Sequence, residues 1–415
     1  MEWLPTFSPH LNPVNMSTER EHNIWQAHLR TAEQVLAHYE GVEPFPVFLK
    51  NFFRENAKFG SRDRRRIAQL CFQFFRLGQA LSGNPIRDRI LAGHLLSAPA
   101  SEVMDSGFFP QLSAPLSEAF ESRESALLTL WPDYALEDVF PGRDRLSEGL
   151  DGRAFIMSHF TQPDLFIRIR PGKTERIRRR LKEIGIPHVF ESATAVRLAN
   201  ATSLEKLGTP DRDFVVQDLS SQRTADWMPA PADLPSHPVV LDLCAGSGGK
   251  SILASDRYPG ATIRASDIRS TILRNLEMRF RIAGIQRYAV SEEDLTVTHN
   301  RKNEGLPGGN LVIADVPCTG SGTWSRTPWE MAMFDVADII GYQKLQRSIL
   351  SNALPRVAYG GHLMYITCSV YRAENEDNRD FILAQGRFRL IDSAVIRGFD
   401  ARADNMYVAH FISES

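Results

Sequence analysis

The stretch from Val239 to Ser251, VVLDLCAGSGGKS, decides the fold. Its apolar, β-branched start reads as a buried strand, and Gly246, Gly248 and Gly249 follow at once. Glycines there allow a tight turn and close backbone approach to a ligand, while the helix they open offers free amides. Such a loop is shared by NAD enzymes, flavoproteins and methyltransferases, so the rest of the chain must discriminate between them. The alternation continues downstream. ATIRASD (261–267), YAVSEED (288–294), LVIADVP (311–317) and HLMYITC (362–368) read as strands, separated by helical stretches such as STILRNLEMRFRIAGI and DIIGYQKLQRSILSNALPRVA. After the helical AENEDNRDFILAQ, the segment MYVAHFI (406–412) can pair as a last strand. This pattern predicts an α/β domain, a doubly wound parallel sheet with helices on both faces and a ligand crevice at the strands' carboxyl ends.

Carboxylates recur at those ends. Asp267 closes the second strand about twenty residues past the glycines, where it can accept from ribose hydroxyls, and Asp294 closes the third, in reach of an adenine amino group. The loop lacks the spacing G-x-G-x-x-G, because Gly246-Ser247-Gly248-Gly249 runs on into Lys250, Ser251 and Ile252. A dinucleotide is disfavoured and S-adenosylmethionine favoured. Asp315, Pro317 and Cys318 leave the next strand, and Cys368 leaves the one after it. If these two strands are neighbours, about 4.8 Å apart, both thiols face the crevice. A thiolate beside a methyl donor suits pyrimidine chemistry. Its addition to carbon 6 makes carbon 5 nucleophilic, and a second group near carbon 5 can help release the product. Asp315 can hold the ring's N3 and exocyclic amine, which selects cytosine over uracil.

Bulk composition sets wider bounds. The 415 residues suffice for two or three domains, 43% of them are hydrophobic, and the net charge is −2, so any nucleic-acid surface is a local patch. No stretch approaches the ~20 apolar residues that span a bilayer, and MEWLPTFSPH has no signal-peptide pattern. We expect a cytoplasmic monomer without membrane contact. The four cysteines, Cys71, Cys244, Cys318 and Cys368, form no Cys-x-x-Cys pair and have no histidine at ligand spacing, so no metal and no disulfide are expected. Cys71 reads as a small buried hydrophobe.

Upstream, Ser17 to about Asp144 is helical in pattern. Thr18 with Glu21 suggests a capping box and Ser61 a second cap, before SRDRRRIAQLCFQFFRLGQAL with its basic front. LFIRIRPG, KTERIRRRLKEIGI and HVFESATAVRLA then suggest a small α/β module whose excess of arginine and lysine could face phosphates. The expected domains are 1–145 (helical), 146–220 (small α/β module) and 221–415 (catalytic type).

LDLCAGSGGK, ADVPCTGSGTW, YITCSVYRAENED and VVQDLSSQRTADWM resemble the motifs of RNA 5-methylcytosine methyltransferases of the ribosomal RNA small subunit methyltransferase B type, the Sun family. The resemblance covers about Phe214 to the end and implies a class I Rossmann-like methyltransferase domain. It implies Cys368 as nucleophile, Cys318 as the thiol that assists release, and a cofactor loop on Cys244, Ala245, Gly246, Ser247, Gly248, Gly249 and Lys250. Further contacts to S-adenosylmethionine fall on Asp267, Asp294 and Asp315. The loop departs from the family's Ala-Ala-Pro-Gly-Gly-Lys by a glycine and by Ser247 in place of proline, which lowers its rigidity. FGSRDRRRIAQLCFQFFRLG resembles the helical RNA-binding domain similar to NusB, and the resemblance leaves no RNA-binding tail after the catalytic part.

The implied substrate is a cytosine in RNA, small-subunit ribosomal RNA first. Transfer RNA and a non-catalytic ribosome-assembly factor are the alternatives. DNA cytosine-5 methyltransferases resemble a pattern with the nucleophile in Pro-Cys and have no need of a second thiol. Trp324 and Trp329 flank Arg326 and could stack on a flipped base or simply pack the loop. His362 reads as structural.

Overall fold

The computed structural model describes residues 13–112, 116–297 and 308–414, with side chains from residue 20 onward. Contacts divide the chain into two units. The first runs to Pro141 and takes in His159–Thr161 and Thr327–Phe334; the second holds the remainder, including both sheets.

The first unit is helical, with Pro13–Ala37, Phe45–Glu55, Ser61–Arg76, Ile86–Ser97, Ala100–Asp105 and Phe120–Leu130. Trp25, Leu29, Phe45, Ile67, Leu70, Cys71 and Phe75 form its core, so Cys71 is the buried hydrophobe expected. Two expected caps are corrected. Thr18 and Glu21 lie inside the first helix, which already starts at Pro13. Ser61 is the first helical residue, and the capping contact is Gly60 N–H donating to Asp63. Part of the basic front of that helix is engaged within the unit, while Arg62 and Arg65 stay exposed. Arg62 and Arg66 pair with Glu21, Arg66 also lies over the Trp25 ring, and Arg64 donates to Phe59 O.

In the second unit the small module comprises β1 (Leu165–Ile169), the helix Thr174–Glu183, β2 (His188–Phe190), β3 (Ala195–Leu198) and β4 (Phe214–Val216). Its strands form an antiparallel sheet in the order β2-β3-β1-β4. Ile167, Ile169, Ile177, Leu181, Val196 and Phe214 make its core. The basic residues expected to face phosphates divide. Arg168 and Arg170 of β1 and its exit turn inward to Asp256 on the helix Gly249–Arg257, each at 2.6 Å, with side-chain exposures of 7%, 11% and 8%. Arg168 adds Gln217, and Arg170 adds the carbonyls of Asp211 and Ala283. These two arginines join the module to the large sheet and have no free face for a phosphate. On the helix, Arg176 pairs with Asp213, Arg179 and Arg180 with Glu183, and Arg178 stacks on Phe190.

The large sheet contains β5 (Val239–Leu243), β6 (Thr262–Asp267), β7 (Tyr288–Glu292), β8 (Gly309–Asp315), β9 (Val357–Thr367), β10 (Phe388–Ile396) and β11 (Met406–Ser413). Its order is β10-β11-β9-β8-β5-β6-β7, a mostly parallel Rossmann-like sheet. It departs from the all-parallel expectation because β11 runs antiparallel between β9 and β10. The sequence pattern hides β10, an edge strand in which Arg389, Asp392 and Ser393 interrupt the apolar positions and the register shifts between Leu390 and Asp392.

Side chains alternate strictly across the pleat. Val240, Ile263, Ala265, Ile313, Met364, Ile366 and Val408 share one core, and Leu241, Leu243, Val312, Ala314, Leu363, Tyr365 and Tyr407 the other. By that alternation Asp242, Asp267 and Asp315 continue the first face, and Cys368 packs against the same cluster. One crevice therefore collects them at the strands' carboxyl ends, on either side of β5 where the strand order reverses.

Removing Asp256 strands two buried guanidinium groups. Asp256→Ala is expected to cost about 3–5 kcal/mol, read as a lowered urea midpoint. An unchanged midpoint would mean that the Arg168–Arg170 cluster holds nothing together.

Candidate active site

The glycine loop is shaped by backbone conformation and by charge. Cys244 (φ +64°), Gly246 (φ +53°) and Gly248 (φ +83°) are left-handed, which turns the chain sharply from β5 into the helix Gly249–Arg257. Ala245 N–H donates to Ser266 O, Gly248 N–H to Ala245 O, and Gly246 N–H to Asp267 Oδ2 at 2.9 Å. Ser247, which replaces the family's proline, is pinned instead. Arg279 donates to Ser247 O (2.7 Å) and Oγ (2.9 Å) while it pairs with Asp211. The rigidity expected to be lost is thus supplied by a side chain outside the loop.

Asp267 is buried, and Arg269 covers it, donating from its backbone N and its Nε to Oδ1 at 3.0 Å. Burial pushes this carboxyl up, but donors from Arg269 and Gly246 outweigh it and hold it below the usual range. Asp294 lies two residues past the edge strand β7 and accepts from the N–H and hydroxyl of Thr296 through Oδ1. In front of the loop there is room. A Cβ on Gly249 would meet nothing within 4 Å, and one on Gly246 only Arg269 Nη2 at 3.9 Å. Left-handed glycines, free helix amides, open space and the Asp267 carboxylate fit the methionine and ribose ends of S-adenosylmethionine.

Lys250 Nζ donates to Asp315 Oδ2 at 2.6 Å, with the ammonium almost buried. Behind it Asp242 is fully enclosed and accepts from Ser251 Oγ, and burial pushes its carboxyl up to about 7. A raised carboxyl at this point lessens the charge that the enclosed site must hold beside Asp315.

The two thiols meet. Parallel pairing of β8 with β9 aligns Asp315 with Ile366, so Cys318 and Cys368 emerge from adjacent strands and their Sγ atoms lie 3.1 Å apart. Both are free, half-buried thiols. The hydrogen bond to Cys368, burial and nearby negative charge together push the Cys318 thiol well up. The loop after Cys318 folds back so that Gly322 N–H donates to Cys368 O at 2.8 Å. Only glycine fits there, since a Cβ would sit 2.2 Å from Asn405 O and 2.8 Å from Cys368 O.

The aromatic residues of that loop pack rather than point into the crevice. Trp324 is 1% exposed and meets Tyr371 edge-on, and Trp329 packs on Phe72 within the helical unit. Arg326 is held by Asp404 and Asp218 at 2.7–2.9 Å, with burial and the Asp218 charge pushing Asp404 up to about 7. His362 bonds to His410 across β9 and β11, a structural pair. Sequence reasoning missed Asp242, Arg269, Arg279 and Glu374. Each acts through contacts distant along the chain, and Glu374 reads locally as an acid at a helix start. Among the described residues, no group of three or more histidines, cysteines or acids could hold a metal, and no helix is long and apolar enough to cross a membrane.

Gly248→Ala forces an L side chain into φ +83° with its Cβ 2.9 Å from Phe280 Cε1. A loss of about 1–3 kcal/mol is expected by thermal unfolding, and an unshifted transition would contradict the strain.

Residues 232–407 match the family model of 16S rRNA methyltransferase RsmB/F. Among curated proteins, the chain is 30% identical to ribosomal RNA small subunit methyltransferase B of Xylella fastidiosa, over 61% of this chain and 59% of that protein. It is 29% identical to 28S rRNA (cytosine(4447)-C(5))-methyltransferase of Homo sapiens, over 44% and 23%. The chain thus covers less than two thirds of the length of these relatives. Among solved structures, PH0851 superposes with a TM-score of 0.66 at 18% identity over 92% of this chain and 98% of its own. NSun6 from Pyrococcus horikoshii with SFG superposes with a TM-score of 0.54 at 15% identity over 65% and 96%. Both show the fold. Together with the motifs on β5, β8 and β9, the match makes residues 232–407 of this chain similar to the methyltransferase domain of the RsmB/F family.

Proposed function

We propose that this protein transfers a methyl group from S-adenosylmethionine to carbon 5 of a cytosine in RNA, with small-subunit ribosomal RNA as the substrate, through a covalent bond from Cys368 to carbon 6. The observation that carries this reading is the 3.1 Å approach of two free thiols beside the Lys250–Asp315 pair. The relatives named as ribosomal RNA methyltransferases support the RNA class, and the structure solved with SFG, a cofactor analogue, supports the cofactor.

The loop from Cys244 to Lys250 would hold the cofactor, with Asp267 at the ribose and Asp294 towards the adenine. When bound there, S-adenosylmethionine supplies an electrophilic methyl group. Cys368 Sγ attacks carbon 6 of the cytosine, and the ring electrons shift towards N3 and carbon 5. Lys250 fixes one oxygen of Asp315 and so orients the other to accept from the exocyclic amine and a protonated N3, towards whose positive charge the ring electrons move. Carbon 5, now nucleophilic, takes the methyl group. Loss of the carbon 5 proton then reforms the double bond and expels Cys368. Cys318, within hydrogen-bond reach of Cys368 Sγ, assists at that stage: its proton passes to the departing sulfur, and the thiolate left on Cys318 takes the carbon 5 proton. The helical unit, in which residues 59–78 resemble the family's NusB-like domain, is read as an RNA-binding domain.

Incubation with labelled S-adenosylmethionine and ribosomal RNA lacking the modification should place label in 5-methylcytosine. No label in any RNA would leave a non-catalytic assembly factor, while label only in transfer RNA would change the substrate and keep the chemistry. Cys368→Ala should abolish turnover, by at least about 10³-fold. Cys318→Ala should let a protein–RNA adduct accumulate as a slow band on a denaturing gel. Full activity in the first variant, or a clean gel with normal turnover in the second, would refute the assigned roles.

A further inference from the structure

A buried acid bonded to the residues that follow the two thiols has no role in the scheme above. Glu374 is 0% exposed and lies six residues beyond Cys368. Its Oε1 accepts from Thr319 Oγ1 (2.7 Å) and Ser369 Oγ (2.5 Å), and its Oε2 from Thr319 N (3.0 Å) and Gln346 Nε2 (2.8 Å). Thr319 and Ser369 directly follow Cys318 and Cys368. One carboxylate therefore ties together the loops that carry the two sulfurs. Gln346 also donates to Pro317 O, so the residue before Cys318 is anchored to the same point. Ser321 Oγ lies 3.2 Å from Ser369 Oγ and accepts from Val370 N, which closes the network.

We propose that Glu374 is a positioning residue that clamps the two thiol loops at hydrogen-bonding distance and makes Cys318 the sulfur that keeps its proton, donating it to Cys368 Sγ. The inference rests on the reading of Cys368 as the nucleophile and gives that division of labour a structural cause. A hydrogen bond between two thiols has no intrinsic direction. Glu374 breaks the symmetry: two of its bonds, from Thr319 N and Oγ1, come from the residue after Cys318 and one, from Ser369 Oγ, from the residue after Cys368, and its negative charge adds to what pushes the Cys318 thiol up. The four donors make the charge tenable in a buried site. Burial pushes the Glu374 carboxyl up, and Ser369, Thr319 and Gln346 work against it. With Cys318 as donor, an anionic Cys368 Sγ receives a hydrogen bond before it attacks, and a proton waits beside it for its departure.

The test uses the full chain without RNA or cofactor. A brief iodoacetamide pulse across a pH series, followed by peptide mass spectrometry, reads the labelling rate of each thiol. In the wild-type protein at neutral pH the Cys368 peptide should take label at least about ten-fold faster than the Cys318 peptide. Glu374→Gln keeps the shape, and because the Thr319 and Ser369 hydroxyls can rotate to accept from the new amide, it can keep most bonds. In that variant the pH profile of Cys318 labelling should move down by about one unit, and Glu374→Asp should restore much of the difference. A Cys318 profile unmoved in a folded Glu374→Gln, or faster labelling of Cys318 in the wild-type protein, would overturn the proposal. The second result stands even if the variant fails to fold. Methyl transfer is measured separately, so loss of the thiol order and failure of the methyltransferase reading are distinguishable.

Discussion

Everything in the crevice depends on the parallel pairing of β8 with β9. Each strand ends in a motif with one sulfur, and neither motif can place the other's. Register does this by setting Asp315 against Ile366, after which the two chains run three and two residues further before the sulfurs meet at 3.1 Å. A slip of one residue would send every alternate side chain to the opposite face and separate Asp315 and Cys368 from their shared core. The apolar face made by Ile313, Met364, Ile366 and Val408 is therefore the physical reason that the polar groups converge. Beyond the strand ends, Gly322 allows the Cys318 loop to lie directly on the backbone of Cys368.

Charge is the second constraint. The unit buries many ionised groups, and each is matched by donors or by an opposite charge. Asp256 receives two arginines, Arg326 receives two aspartates, and Lys250 meets Asp315. Where no cation is at hand, the acid is pushed towards neutrality, as in Asp242, or surrounded by donors, as in Glu374. These contacts also fix position. Arg279 holds Ser247 of the glycine loop, and Arg326 holds the end of the Cys318 loop. The loops that shape the crevice are thus restrained from outside it.

Much of this was legible in the sequence, because it depended on local signals. Short apolar, β-branched runs marked β5, β6, β8, β9 and β11, and glycines marked the turn after β5. The thiols were assigned to neighbouring strand ends, and the structure puts them there. What was not legible depended on partners far along the chain. The arginines of LFIRIRPG could face phosphates by sequence, yet Asp256, some 88 residues away, encloses Arg168. Trp324 and Trp329 were open either to stacking on a base or to packing the loop, and their contacts with Tyr371 and Phe72 decide for packing. The edge strand β10 was invisible because one of its sides faces outward and its register shifts at Leu390.

The most direct test of the central claim maps the covalent bond itself. RNA in which the target cytosine is replaced by 5-azacytidine has no carbon 5 proton to lose, so an adduct formed at carbon 6 cannot resolve. Incubated with the wild-type protein and S-adenosylmethionine, digested and examined by mass spectrometry, the cross-linked nucleotide should be found on the peptide that contains Cys368. A nucleotide on the Cys318 peptide would exchange the two roles, and no cross-link on either thiol would contradict the account.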